Sequence, residues 1–166
     1  LEAAGIHCAL DGSSSLMDTP EVSTFCALLQ AVANPRLDIP LLSILASPVF
    51  GFTADDLASF RGDCKKGSIY DAMKQSQNEK VQYFLSVLDV LRKKSRMENL
   101  TQLLQSCLTL TRLDSIFGAM SGAEARQQNL QTFYQMAVDY ESSSLRTLDQ
   151  FLEYLQTMAD SRGETG

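Results

Sequence analysis

The reading turns on one stretch, Asn34-Pro35-Arg36-Leu37-Asp38-Ile39-Pro40-Leu41-Leu42-Ser43-Ile44-Leu45-Ala46-Ser47-Pro48-Val49-Phe50-Gly51-Phe52-Thr53-Ala54-Asp55-Asp56-Leu57-Ala58-Ser59-Phe60. It holds three of the four prolines in the chain, and each falls where a helix should start or stop. Asn34-Pro35 ends a preceding helix, because the residue before a proline is pushed out of the helical region. Asp38 followed by Pro40 opens a short apolar helix, with Asp38 as N-cap and proline accommodated in the first turn. Ser47-Pro48 closes it. Phe50-Gly51-Phe52 then turns the chain into Thr53, and Thr53 with Asp56 has the spacing of a capping box, in which each side chain satisfies the other's backbone N–H.

Upstream, Asp18-Thr19-Pro20-Glu21 reads as a helix start, with Asp18 or Thr19 as N-cap and Glu21 reaching back. That helix runs to about Ala33 and carries Val22, Phe25, Cys26, Leu29 and Val32 on one face. Residues 1–15 read as a separate N-terminal stub and loop, with a short extended run as the one strand candidate. Downstream, Thr53 to about Arg61 is a short helix, 62–67 a glycine-bounded loop, and Ser68 to Asp71 a second capping box. Asn78 caps a long helix to about Met97, with Val81, Phe84, Leu85, Leu88 and Leu91 inward. Further helices cover Glu98 to about Leu110, Ser115 to Ala119 opened by Asp114, Ala123 to about Glu141, and Leu145 to about Ala159. Breaks fall at Ser121-Gly122 and at Ser142-Ser143-Ser144, and the polar residues 161–166 read as a frayed tail. No segment alternates at period two with β-branched residues. The expectation is an all-α domain of seven to nine helices over residues 16–160.

Composition narrows the function. Hydrophobic residues make up 45% and charged residues 20%, a globular profile. No run is long and apolar enough to span a bilayer. Cys8, Cys26, Cys64 and Cys107 are scattered without zinc-site spacing, and buried free thiols of a reducing cytoplasm are the simplest account. The net charge of −6 argues against a free-standing nucleic-acid binder but leaves room for a local basic patch. There is no Gly-x-x-x-x-Gly-Lys-Ser/Thr phosphate loop, no Gly-x-Ser-x-Gly elbow and no carboxylate cluster with a metal-binding pattern. His7, the single histidine, has no catalytic partner near it in sequence. The chain itself reads as non-enzymatic.

Several residues together resemble a known family. Glu21-Val22, Leu28-Leu29, Asn34-Pro35, Asp38-Ile39-Pro40-Leu41, Leu45, Ser47-Pro48, Phe50-Gly51-Phe52-Thr53, Leu57 and Arg61 match densely, and Arg126, Asn129-Leu130 and Phe151-Leu152 match sparsely. They resemble the 2B accessory subdomain of UvrD/Rep-type superfamily-one DNA helicases, and within that group the AddA-type subunit of bacterial AddAB helicase–nucleases. The resemblance implies that residues 1–15 are the edge of a RecA-like motor, and that the chain is a piece of a longer cytoplasmic, bacterial protein. That parent would be an ATP-dependent helicase and exonuclease using ATP and Mg, paired with an AddB-type subunit, and resecting double-strand breaks. The piece itself would hold no cofactor. It would lie beside duplex DNA, binding weakly and without sequence preference, and adjust unwinding. The alternative from composition is a stand-alone acidic helical module that binds a protein.

Three sites could meet DNA. Gly51-Phe52-Thr53 feeds a helix N-terminus, where N–H groups and the dipole suit a phosphate. The UvrD-like pattern has two glycines in this turn, and Thr53 replaces the second here. Asp55 and Asp56 would repel phosphate, so an ordinary capped start competes with a DNA contact. Arg92, Lys93, Lys94 and Arg96 sit at a helix C-terminus, where the dipole alone would favour them. Lys65 and Lys66 lie on the glycine-bounded loop. Arg126, a cation near a helix start, is expected to pair with an acidic neighbour as a structural residue.

Overall fold

The computed structural model describes residues 16–63, 67–142 and 147–165. Among them no strand occurs, and a helical turn at 16–18 leads into nine helices. The expected N-terminal strand with His7 and Cys8, the loop residues Cys64, Lys65 and Lys66, and the break at 143–144 lie outside the described residues.

Helix α1 (Pro20–Ala33) is the centre of the fold. It packs against α2 (Asp38–Ala46), α5 (Glu79–Met97), α7 (Leu113–Gly118), α8 (Ala123–Ser142) and α9 (Leu148–Thr165). A helix with that many neighbours must be apolar nearly all round. Val22, Phe25, Ala27, Leu28, Leu29, Ala31 and Val32 are all buried. Its ends follow the punctuation. Thr19 is extended with Pro20 at the first helical position, and Asn34 ahead of Pro35 leaves the helical region. The Thr19 hydroxyl, however, donates to the Leu16 carbonyl and caps nothing.

The remaining helices follow the same grammar, with corrections at their ends. Helix α2 buries Leu41, Ile44 and Leu45 against α1 and stops at Ser47, whose hydroxyl donates to the Ile44 carbonyl at 2.6 Å. Asp38 is not its N-cap; Leu37 is. The Asp38 carboxylate instead accepts the Ile69 N–H at 3.1 Å, at the start of α4 (Ile69–Lys74). Helix α3 (Ala54–Asp63) runs through Gly62, which the sequence reading gave to a loop. Asn78 caps α5 through the Lys80 N–H at 2.8 Å, and Val81, Phe84, Leu88 and Leu91 point inward as expected, with Leu85 half-buried. Helix α6 (Leu100–Thr111) has a full capping box between Asn99 and Gln102. It ends on Arg112, a non-glycine residue at φ 56° that also introduces α7. Helix α9 begins at a Thr147–Gln150 capping box and continues to Thr165, so the polar stretch expected to fray is helical through 165.

Two aromatic groups knit these helices. Phe25 of α1, Phe133 of α8 and Phe151 of α9 stand 5.4 and 5.8 Å apart in succession, with Tyr140 beyond at 5.7 Å. Around the Gly51 turn, Phe84 of α5 is 4.7 Å from Phe50 and 6.4 Å from Phe52. Tilted and edge-on pairs at these separations add to simple area burial.

Candidate nucleic-acid interface

The Gly51-Phe52-Thr53 turn is built from inside. Gly51 adopts φ +64°, which glycine takes without a Cβ penalty. The Gly51 N–H donates to the Ser47 carbonyl at 2.7 Å and the Phe52 N–H to the Leu45 carbonyl at 2.9 Å. The Thr53 N–H donates to the Asp56 carboxylate at 2.9 Å, and the Asp56 N–H to the Thr53 hydroxyl at 3.1 Å. The expected capping box is therefore formed, and these backbone donors are already engaged within the chain. The Thr53 N–H first, then its hydroxyl, hold the Asp56 carboxyl below its ordinary range, with the Lys80 charge adding to them. Phe52 is buried beside Phe60. Lys80, unremarkable in the sequence, closes the turn from α5: its ammonium donates to the Gly51 carbonyl at 2.7 Å and lies 4.6 Å over the Phe52 ring.

The four cations ending α5 do not form one patch. Lys93 pairs with Asp89 at 3.0 Å and Lys94 with Glu98 at 3.3 Å, both along the helix. Arg92 reaches across, its Nε donating to the Val32 carbonyl near the end of α1 at 3.2 Å. Arg96, one turn on, is exposed and meets no acidic partner among the described residues. Arg92, Ser95 and Arg96 line a cleft whose other wall is the start of α9, with Thr147 and Asp149.

A cluster that the sequence reading missed joins the α1–α2 turn to α4. Arg36 pairs with Asp71 at 3.2 Å, and Lys74 lies 4.0 Å from the same carboxylate. Tyr70 has Lys74 at 4.3 Å and Arg36 at 5.5 Å from its ring centre. Asp71 is held below the ordinary carboxylate range, first by a hydrogen bond from the Ser68 hydroxyl and then by Arg36 and Lys74. Nothing in local spacing brings Arg36 to Asp71; only the fold does.

Glu21 overturns one expectation and meets another. It does not reach back over its own helix start. At 2% exposure a carboxylate needs charge-assisted partners, and α8 supplies them. Arg126 donates to one oxygen at 3.1 Å and Asn129 to the other at 3.1 Å. Arg126 also donates to the Ser121 carbonyl at 3.0 Å. This is the structural pairing expected of Arg126.

Charge is unevenly spread. Residues 34–97 carry ten cations and seven anions, a net of +3 within a chain of −6, whereas residues 98–166 carry four cations and nine anions. Among the described residues, no three His, Cys, Asp or Glu side chains gather as a metal site, and no helix is long and apolar enough to cross a membrane. Cys26 and Cys107 are free, and burial pushes both thiols up to about 12.

No family model matches the chain. Curated relatives do. The A subunit of the ATP-dependent helicase/nuclease of Acetivibrio thermocellus is 37% identical over 173 aligned residues, covering 100% of this chain and 14% of the relative. Over its whole length the chain is homologous to one segment of the helicase/nuclease A subunits. Proteins of that name from Carboxydothermus hydrogenoformans (34% identical, 97% of the chain) and Geobacillus thermodenitrificans (32%, 100% of the chain) match in the same way. The chain spans 14% of the length of each of these helicase/nuclease A subunits. The aligned segment includes the helices described above, with Glu21 brought to Arg126 and Asn129 across more than 100 residues.

Proposed function

We propose that this segment is a non-catalytic, 2B-like accessory subdomain of an AddA-type helicase/nuclease, lying against duplex DNA beside the motor and adjusting unwinding. The observation that carries the reading is the segregation of charge. An acidic chain carries an excess of cations in residues 34–97, an interval that also holds most of the dense run of family-like residues from Glu21 to Arg61. Phosphate contacts of this kind position a protein on DNA and read no sequence. The parent protein, on this reading, is a cytoplasmic bacterial ATP-dependent helicase and exonuclease. It would use ATP and Mg, act in double-strand break repair and work with an AddB-type subunit. The segment contributes neither nucleotide hydrolysis nor strand cleavage, having no motif for either.

A second reading, contact with protein, is favoured by one observation. Tyr83, Val90 and Met97 are all exposed and recur every seventh residue along one side of α5. One titration separates the two. A fluorescent forked duplex is titrated with the chain at about 50 and 200 mM salt. Binding near ~10⁻⁵ M that weakens steeply with salt is the expected result. No binding at the lower salt rejects direct DNA contact and turns the reading toward protein.

A further inference from the structure

We infer that Arg92 and Arg96 form a clamp for a single DNA phosphodiester, in the cleft between the end of α5 and the start of α9. The neighbouring lysines take no part. This rests on the DNA-contacting reading above and assigns that contact to two side chains.

In sequence Arg92, Lys93, Lys94 and Arg96 are equivalent cations; the structure separates them by partner. Lys93 and Lys94 each have a carboxylate within 3.3 Å, a negative charge that an incoming phosphate would also meet. The Nε of Arg92 is taken by the Val32 carbonyl, which fixes the guanidinium plane and leaves its terminal nitrogens as donors. Arg96 lies one helical turn further on and lines the same cleft. Two planar guanidinium groups on one wall suit the oxygens of a phosphate, which an arginine fork meets two at a time. On the opposite wall, the Thr147 hydroxyl accepts the Gln150 N–H at 3.2 Å and still has its own hydrogen to donate. Asp149 is the one carboxylate among the described residues lining the cleft. Among the described residues lining the cleft, two guanidinium charges outweigh one carboxylate, a balance of the sign that suits a phosphodiester.

Asp149 makes the inference sharp, because it opposes the proposed ligand and its removal must act in the opposite sense to removal of an arginine. The test is the forked-duplex titration repeated with Arg96→Gln, Asp149→Asn and the double variant Lys93→Gln/Lys94→Gln, each first checked by thermal melting. Arg96→Gln should raise Kd about tenfold and lower the salt slope by about one. Asp149→Asn should lower Kd a few-fold, and the lysine pair should change it less than about twofold, as befits cations already paired. Wild-type binding with unchanged affinity in both Arg96→Gln and Asp149→Asn overturns the clamp and leaves the DNA reading standing. So does a lysine-pair loss as large as that of Arg96→Gln, which would indicate a diffuse patch. No salt-sensitive binding by the wild-type chain overturns both.

Discussion

The molecule has two clusters of charge that behave differently in space. At the α1–α8 junction, Glu21, Arg126 and Asn129 are closed on one another, and both carboxylate oxygens are taken. At the α5–α9 cleft, Arg92 spends one nitrogen on a carbonyl and Arg96 meets no carboxylate partner among the described residues. The first cluster is made of residues that carry the family resemblance. The second is not. Family-like polar residues here mark where the chain holds itself together, so a motif match identifies the domain without locating its ligand.

The sharpest way to break that comparison is to cut the closed cluster. Arg126→Met removes the one cationic partner, among the described residues, of a buried carboxylate while keeping an unbranched apolar side chain there. Losing one partner of a buried pair costs about 3–5 kcal/mol, and the partial exposure of Arg126, 25% for its side chain, places this variant near 3 kcal/mol. Urea unfolding reads it directly. Adding Glu21→Gln should recover most of the loss, because the uncompensated charge is then gone. A single-variant loss below about 1 kcal/mol would mean that the junction is not a closed structural unit, and the contrast with the cleft would disappear.

A smaller effect tests the helix ends that connect the two clusters. Asn99→Ala removes the acceptor for the Gln102 N–H and half of a reciprocal box, with an expected cost of about 1 kcal/mol. The loss should be milder than for a lone cap, because Glu141 at the end of α8 also accepts from the Leu100 and Thr101 N–H groups. Removing both, Asn99→Ala with Glu141→Ala, should cost about the sum of the two single losses, since the two acceptors serve different N–H groups.

Much of this was legible in the chain and some was not, for a physical reason. Capping and proline breaks act over three or four residues, so the end of α1, the closure at Ser47, the Thr53–Asp56 box and the Asn78 cap could be read directly. The inward face of α5 follows from period 3.6 alone. What spacing cannot reveal is a partner far away in sequence. Asp38 looked like the cap of its own helix and serves α4. Glu21 looked like half of a local box and serves α8. Lys80 carries no local signal and closes the Gly51 turn from α5. A run of four cations likewise carries no sign of which already have carboxylates beside them.

Acid should test the local caps. Asp56 and Asp71 are both held below the ordinary carboxylate range in the fold. Their contribution is therefore fully present above the unfolded value near ~3.9 and is lost as pH falls through their lower folded values. The urea midpoint should be flat from pH 7 to about pH 5 and decline below about pH 4. Asp56→Asn with Asp71→Asn should flatten that decline. At the other extreme, the Cys26 and Cys107 thiols, pushed up to about 12, stay neutral in the fold while unfolded thiols ionise near ~8.5. Stability should fall between about pH 9 and 12, less steeply in Cys107→Ala, after allowance for the methylene-scale packing loss at pH 7.

The smallest expected effect is the most telling about the cleft. Arg96 is exposed, sits in the last turn of α5 and pairs with no carboxylate among the described residues. Its contribution to folding reduces to the interaction of one surface cation with a helix C-terminus, a few tenths of a kcal/mol at low salt. Arg96→Gln should therefore shift the urea midpoint within the scatter of ordinary surface substitutions, about 0.5 kcal/mol. Arg126→Met, by contrast, should leave duplex affinity unchanged wherever the domain remains folded. If Arg96→Gln instead costs as much stability as Arg126→Met, then Arg96 is a structural residue like Arg126, and the two clusters are of one kind. A near-silent melt alongside a clear loss of duplex affinity would separate them: one arginine closed on the fold, the other held open to a phosphate.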